Sequence, residues 1–175
     1  MFKENRDECT FSWADMGNIE IGRPNLGDMT SVTVYRLMQY TLRDVLIRRF
    51  DPVTAGEIFY EAGKLAGKEF CKNALKTDVD FNEFVAQVQK VLKDLRIGIF
   101  KVEKADLERL NLTITVDEDL DCSGLPLSDE TVCDYDEGFI AGVLEAYTGK
   151  AFDVKETDCW AMGGRTCRFE AKKKN

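Results

Sequence analysis

The stretch that most constrains the fold of this chain covers residues 127–172 and contains three cysteines and a glutamate at close spacing. Cys133 comes first, Glu156 and Cys159 follow together, and Cys167 comes shortly after them. Thiolates, and in some sites carboxylates, are ligands for zinc, and the chain contains no histidine. If these four side chains bind one metal ion, the segments that carry them must fold back on each other.

The first half of this stretch has the pattern of an amphipathic helix. Ser128 is a favourable N-cap, and Asp129 and Glu130 suit the positive end of the helix dipole. Gly149 provides a C-terminal stop. The apolar residues that recur at helical spacing are Val132, Tyr135, Phe139, Ile140, Val143, Leu144 and Tyr147. We therefore expect Cys133 in the first two turns, where the dipole favours the thiolate form that binds metal.

The second half of the stretch predicts a β-hairpin. Residues 152–155 alternate between apolar and polar, residues 167–171 do the same, and Gly163-Gly164 between them is a tight-turn signal. Cys159 and Cys167 then flank the turn. The alternation places Glu156 on the apolar face.

The residues favour a structural zinc ion with the following ligands: Cys133, Glu156, Cys159 and Cys167. Two alternatives involve no metal. The cysteines could be buried as small apolar side chains, or Cys159 and Cys167 could form a disulfide across the hairpin. Asp158 and Cys122 are rivals for the fourth ligand position. Otherwise the remaining cysteines are interpreted as bystanders: Cys9, Cys71 and Cys122.

The same stretch resembles a known protein family. It reads CDYDEGFIAGVLEAYTGKAFDVKETDCWAMGGRTCRFEA and is similar to the C-terminal signature of the 4-vinyl reductase domain family, a hydrocarbon-binding family, in its first Cys, its E-x-x-C-W step and its final C-x-F. The resemblance covers roughly the last quarter of the chain. It implies a fold like that of subunits of the TRAPP tethering complex.

The resemblance also bears on the metal and the ligand. In the related sensor domains of phenol-responsive activators one Cys, one Glu and two further Cys bind zinc, and their spacing agrees with the four residues proposed here. Those sensors hold the phenol hydroxyl with a histidine and a tryptophan before the first zinc cysteine. This chain has no histidine, and Trp13 and Trp160 lie elsewhere, so that mode of phenol binding is not expected.

Charge and hydropathy exclude several classes of protein. The net charge of -8 argues against a nucleic-acid or anionic membrane surface, because both attract clustered positive charge. No apolar stretch reaches the length of a membrane span, and residues 1–9 are too charged for a signal peptide. We expect a cytoplasmic protein whose cysteines are thiols or metal ligands rather than a disulfide framework.

The rest of the chain predicts three helices followed by two strands. The helices cover residues 31–50, 53–75 and 80–95, and the strands residues 97–102 and 110–116. In the first helix the predicted stripe is Val34, Tyr35, Met38, Leu42, Val45 and Leu46; in the second the inward residues are Ile58, Phe59, Ala62, Leu65, Ala66 and Phe70. Residues 1–29 are irregular, with short strand candidates at 10–13 and 18–21. The order predicts one α+β domain over residues 1–175, with several helices packed on an antiparallel sheet.

Four glycines lie inside predicted helices. Gly63 and Gly67 share an i, i+4 relation, as do Gly138 and Gly142. An interior helix glycine costs up to about 1 kcal/mol relative to alanine, so each pair needs a packing reason. Close approach of another backbone within the chain is one explanation, and a homodimer contact is the other.

Three functions are compatible with the sequence. The favoured one is a sensor-like domain that binds a small hydrophobic or aromatic molecule, with these residues lining the pocket: Phe84, Val88, Phe100, Leu112, Tyr135, Phe139 and Tyr147. An enzyme is less favoured, because neither a dinucleotide-binding glycine motif nor an iron–sulfur cysteine spacing is present. The resemblance leaves open a vinyl-group reductase component, or a non-catalytic subunit or assembly protein in tetrapyrrole or related metabolism. It also makes a homodimer reasonable, through Gly63 and Gly67 or the helix at 31–50.

Overall fold

The computed structural model describes residues 10–174 and confirms the α+β class. The helices are α1 (Ile19–Gly22), α2 (Val32–Arg49), α3 (Pro52–Ala74), α4 (Phe81–Asp94) and α5 (Asp134–Thr148). The strands are β1 (Ile99–Asp106), β2 (Asn111–Asp117), β3 (Phe152–Asp158) and β4 (Thr166–Lys173), and 3-10 turns lie at Trp13–Met16 and Trp160–Met162. None of the described helices combines the length and hydropathy needed to cross a bilayer.

The four strands form one antiparallel sheet in the order β1-β2-β4-β3. The β3–β4 pair is the predicted hairpin, and Gly163 between the strands has the positive φ of 92° that glycine adopts without strain. In β2 the alternate residues Leu112, Ile114 and Val116 are buried, and they belong to the same core as the buried residues of α4 and α5. The sheet thus forms one wall of the core and these helices form the other.

Helices α3 and α5 pack so closely that only glycine fits at their contact. A Cβ atom on Gly63 would lie 2.0 Å from the carbonyl oxygen of Tyr135, and one on Gly67 would lie 2.1 Å from that of Phe139. From the other side, Gly138 and Gly142 meet the backbone of α3 at 2.0 and 2.1 Å. The prediction of close backbone approach is confirmed, and the proposed homodimer contact through Gly63 and Gly67 is wrong, because α5 of the same chain covers them.

Helix α2 has the predicted bounds, but its apolar stripe was placed on the wrong side. Polar residues hold the helix to the body: the Tyr35 hydroxyl and the Gln39 amide donate to Asp121 at 2.7 and 2.6 Å. The Arg36 guanidinium donates to backbone carbonyls between residues 119 and 123, and Arg43 donates to Asp134. These apolar residues of the stripe are exposed instead: Val34, Met38, Leu42 and Val45. Periodicity identified an apolar face but not what covers it.

The structure corrects further predictions in the first half of the chain and confirms others. The strand candidates at 10–13 and 18–21 are wrong, because Trp13–Met16 is a 3-10 turn and the Asn18 side chain caps a short helix by accepting from Ile21 N. In α3, Ile58 and Ala62 are exposed rather than inward, while Phe59 and Phe70 are buried as expected. The α4 prediction is confirmed, with the carboxylate of residue 80 accepting hydrogen bonds from the N–H groups of the next turn.

The start of α5 differs most from the prediction. Ser128 does not cap the helix; its backbone N–H donates to the carbonyl of Ala161 at 2.6 Å, which ties an irregular segment to the hairpin. The helix begins at Asp134, and Cys133 is the N-cap residue rather than a member of the first two turns. Gly149 ends the helix with a φ of 70°, as predicted.

Candidate metal centre and adjoining cavity

Four separate segments bring cysteines together at one end of the sheet. Cys122 follows β2, Cys133 precedes α5, Cys159 follows β3, and Cys167 lies near the start of β4. The register of β2 and β4 places Val116 opposite Cys167, so the cluster continues the apolar core without a break. Cys122 was a bystander or rival ligand in the sequence, and here it joins the other three.

The four sulfur atoms lie within 4.8 Å of one another. Separate Sγ–Sγ distances are 3.1 Å for Cys122–Cys167 and 3.9 Å for both Cys133–Cys159 and Cys133–Cys167. All exceed the bond length of a disulfide, which is about 2.05 Å. With Zn–S bonds of about 2.3 Å, a tetrahedron has edges of about 3.8 Å. The cluster therefore fits the dimensions of a four-thiolate metal site.

Burial and mutual hydrogen bonding make the thiols unequal. Each is at most 1% exposed. Hydrogen bonds from Cys122, Cys133 and Cys167 lower the pKa of the Cys159 thiol, whereas bonds with neighbouring cysteines raise the pKa values of Cys133 and Cys167. The cluster thus favours negative charge at Cys159, and a cation would replace the thiol protons of the others.

Glu156 lies beside the cluster and is buried, on the apolar face that the alternation predicted. Its Oε2 accepts a hydrogen bond from the N–H of Cys133 at 3.2 Å, while its Oε1 is buried without a hydrogen-bond partner. Burial raises the pKa of this carboxyl to about 8. Asp158, the other carboxylate considered, is exposed and pairs with Arg168. Glu156 is therefore placed either to support Cys133 or to act as a ligand itself.

An apolar cavity of about 40 Å³ adjoins the cluster. Its lining includes five of the residues predicted for the pocket: Phe84, Val88, Phe100, Leu112 and Phe139. Two predicted residues lie elsewhere. Tyr147 stacks on Phe84 with ring centroids 3.9 Å apart and donates its hydroxyl to the Val79 carbonyl, and Tyr135 lines a second cavity between α2 and α3.

Two acidic residues in the cavity wall were missed by the sequence reasoning. Asp119 and Asp136 line the cavity, and each has a carboxylate oxygen within 4.8 Å of the other and of Cys133 Sγ. A signal for Asp136 was present, since it precedes Phe139 and Ile140 by three and four residues and so shares their apolar helix face. No comparable signal marked Asp119, which lies in a loop.

The chain matches the family model of the 4-vinyl reductase domain over residues 112–173, which confirms the resemblance seen in the sequence. The uncharacterized protein MJ1642 of Methanocaldococcus jannaschii is 25% identical over 147 residues, which cover 84% of this chain and 80% of that protein.

Three solved structures share the fold. The phenol-responsive sensory domain of the transcription activator PoxR, solved with phenol, has a TM-score of 0.65 at 14% identity and covers 83% of this chain and 76% of its own. A vinyl-4-reductase family protein of M. jannaschii has a TM-score of 0.58 at 18% identity, covering 85% of each chain. Subunit 3 of the trafficking protein particle complex of Naegleria fowleri, covalently bound to palmitic acid, has a TM-score of 0.63 at 15% identity, covering 82% and 95%.

Proposed function

We propose that this protein, whose residues 112–173 match the 4-vinyl reductase domain, binds a small hydrophobic or aromatic molecule in a cavity that a structural zinc ion holds in shape. The observation that carries the proposal is that the same elements build both sites. Strand β2 lines the cavity with Val116, which pairs with Cys167 on β4. Helix α5 begins at Cys133 and lines the cavity with Phe139. A metal that fixes the cysteines therefore fixes two walls of the cavity.

Zinc suits the donor set because four soft, buried thiols of tetrahedral dimensions are typical of closed structural zinc sites. We assign Cys133, Cys159 and Cys167 as ligands and Cys122 as the fourth. Glu156, the fourth ligand suggested by the sequence, then orients Cys133 through its backbone N–H. With four protein ligands the ion keeps no open position for a reacting molecule, so its contribution is to stability.

The ligand proposal is supported by two proteins of the same fold that hold apolar molecules. One is the PoxR sensory domain with phenol, and the other is the palmitic acid-bound trafficking subunit. In the present chain, the described cavity wall is apolar apart from two acidic residues. Such a wall favours an apolar ligand body.

We further propose that α2 mediates a homodimer, which would suit either a sensor or an assembly protein. The side chains of Leu37 and Met38 are 60% and 63% exposed, and Val34, Leu42 and Val45 extend the same apolar surface. The polar side of α2 already faces the body of the chain, so the apolar surface is left for a second molecule. We expect one domain over residues 1–175 that acts in the cytoplasm, where its thiols stay reduced.

The proposal is tested by titrating toluene and phenol into the zinc-loaded protein and into protein treated with a strong chelator, while recording methyl NMR spectra. We expect shifts at cavity methyls such as those of Val88 and Ile114, and weaker binding after zinc removal. If neither molecule shifts the cavity methyls, the binding function is wrong. If both bind equally well after chelation, the structural link between the sites is wrong.

A further inference from the structure

The cavity wall has an unusual division of polarity. Among the residues that the structure describes, its lining comprises fifteen apolar side chains and two acidic ones, with no basic side chain and no hydroxyl. Because Asp119 and Asp136 approach within 4.8 Å, the polar part of the wall is confined to one place. A ligand that fills this cavity meets hydrocarbon on most sides and carboxylate on one.

Asp136 is the carboxylate without a partner. Its Oδ2 is buried and accepts no hydrogen bond, whereas Asp119 Oδ1 accepts from the N–H groups of Asp121 and Cys122 at 2.8 and 3.2 Å. Burial first, and then the charges of Asp119 and Asp121, raise the pKa of Asp136 well above its ordinary value. A buried polar atom without a partner costs free energy, so this residue is poorly suited to a purely structural role.

The position of Asp136 accounts for how the fold tolerates it. It lies in the first turn of α5, where the helix dipole favours a negative side chain. The same turn directs it inward with Phe139 and Ile140, which also line the cavity. The residue is therefore held against the cavity by a helix that is itself locked to α3 through backbone contacts at its glycines.

The charge of the surroundings selects among ligand head groups. An anionic head group would meet two carboxylates, so it is disfavoured. A neutral hydroxyl can donate one hydrogen bond to Asp136. A protonated amine donates a charge-assisted hydrogen bond, which is roughly twice as strong, and its positive charge also offsets the neighbouring acids.

We infer that the cavity binds a small molecule with an apolar body and a protonated amine, and that Asp136 binds the amine. The inference rests on the proposed function, because it names a ligand class for the same cavity. By the measure used for its 40 Å³, the cavity holds about three water molecules. The ligand is therefore small, and a ring enters as half-buried side chains of α4, such as Phe81 and Val85, turn outward.

Three probes of nearly equal shape test the head group: benzylamine, benzyl alcohol and toluene. Each is titrated into the full-length zinc-loaded protein at pH 7, and cavity methyl resonances of Val88, Ile114 and Val143 report binding at the intended place. The variant Asp136→Asn keeps the size of the side chain and removes its charge. Asp129→Asn makes the same change at an exposed position outside the cavity and is the matched control.

We expect benzylamine to bind most tightly of the three. Asp136→Asn should weaken benzylamine at least about tenfold and change benzyl alcohol less than about threefold, because it removes a charged hydrogen bond but keeps a polar group. Asp129→Asn should change neither.

Two results separate this inference from the proposed function. If toluene or benzyl alcohol binds the wild type as tightly as benzylamine, the amine assignment is wrong and the apolar-ligand function stands. This ranking uses the wild type alone, so it decides the matter even if Asp136→Asn does not fold. If none of the three probes shifts the cavity methyls, both the inference and the proposed binding function are wrong.

Discussion

The contact between α3 and α5 offers a direct test of the packing described here. Replacing Gly63 with alanine adds one methyl group whose carbon would lie 2.0 Å from the carbonyl oxygen of Tyr135 and 3.0 Å from the backbone nitrogen of Phe139. Ordinary C···O contacts are about 3.3 Å or longer. The clash is with backbone atoms, which cannot rotate away, so the two helices must separate by about 1.3 Å at this point.

The expected cost follows from two opposing effects. Alanine favours a helix by up to about 1 kcal/mol over glycine. Overpacking a well-filled interior costs about 1–3 kcal/mol and sometimes more, and a gap of about 1 Å forfeits a large part of the dispersion energy along the contact. Because the neighbouring glycines share the contact, we expect Gly63→Ala to lower the free energy of unfolding by about 3 kcal/mol. For a chain of this size that corresponds to a Tm lower by about 6–12 °C.

Gly56 in the same helix provides the matched control. A Cβ atom there would lie 3.2 Å from Oδ1 of Asp134, a side-chain atom that can shift slightly. Gly56→Ala should therefore leave stability within about 1 kcal/mol of wild type, with helix propensity acting in its favour. Urea unfolding followed by circular dichroism measures both variants. Equal stability of Gly63→Ala and wild type would refute the close-packing argument, as would an equal loss in both variants.

Three further outcomes are expected. Burial opposes ionisation of Glu145, but ion pairs with two lysines of α3 outweigh it and lower its pKa, so Glu145→Gln should cost about 1 kcal/mol at pH 7; because the stabilisation is present above the ordinary pKa of 4.5 and is lost as pH falls through the lower folded value, wild type and variant should converge near pH 3 in urea titrations. Met38→Lys on the exposed face of α2 should convert a dimer to a folded monomer in light scattering, and an unchanged mass would count against that interface. Cys122→Ser should lower zinc content measured by mass spectrometry, whereas Cys71→Ser, a buried cysteine outside the cluster, should retain one zinc per chain.

Sequence patterns predicted the elements whose signals are local. The hairpin followed from alternation around Gly163-Gly164, and α3 followed from Asp51 and Pro52 at its start, where the Asp51 side chain accepts from Thr54 N. The paired glycines of α3 and α5 predicted close packing because their cost had to be offset by a contact. These features are encoded within a few residues of each other, so one sequence was enough to find them.

Features that depend on distant parts of the chain were missed. Ser128 has the chemistry of an N-cap, but its backbone is bonded to Ala161 on the hairpin, and the helix starts later. The apolar residues of α2 face outward because Gln39 and its polar neighbours find partners in a loop more than eighty residues away. Cys122 reached the cysteine cluster through the same kind of long-range loop placement, which no spacing rule contains.

The central claim is that a metal ion held by four thiols shapes a ligand cavity, and native mass spectrometry of protein purified without added metal tests it most directly. The account predicts that the native mass exceeds the denatured mass by one zinc ion per chain, and that Cys122→Ser reduces the zinc-bound fraction. A native mass equal to the denatured mass, in protein that is folded with all thiols reduced, would contradict it.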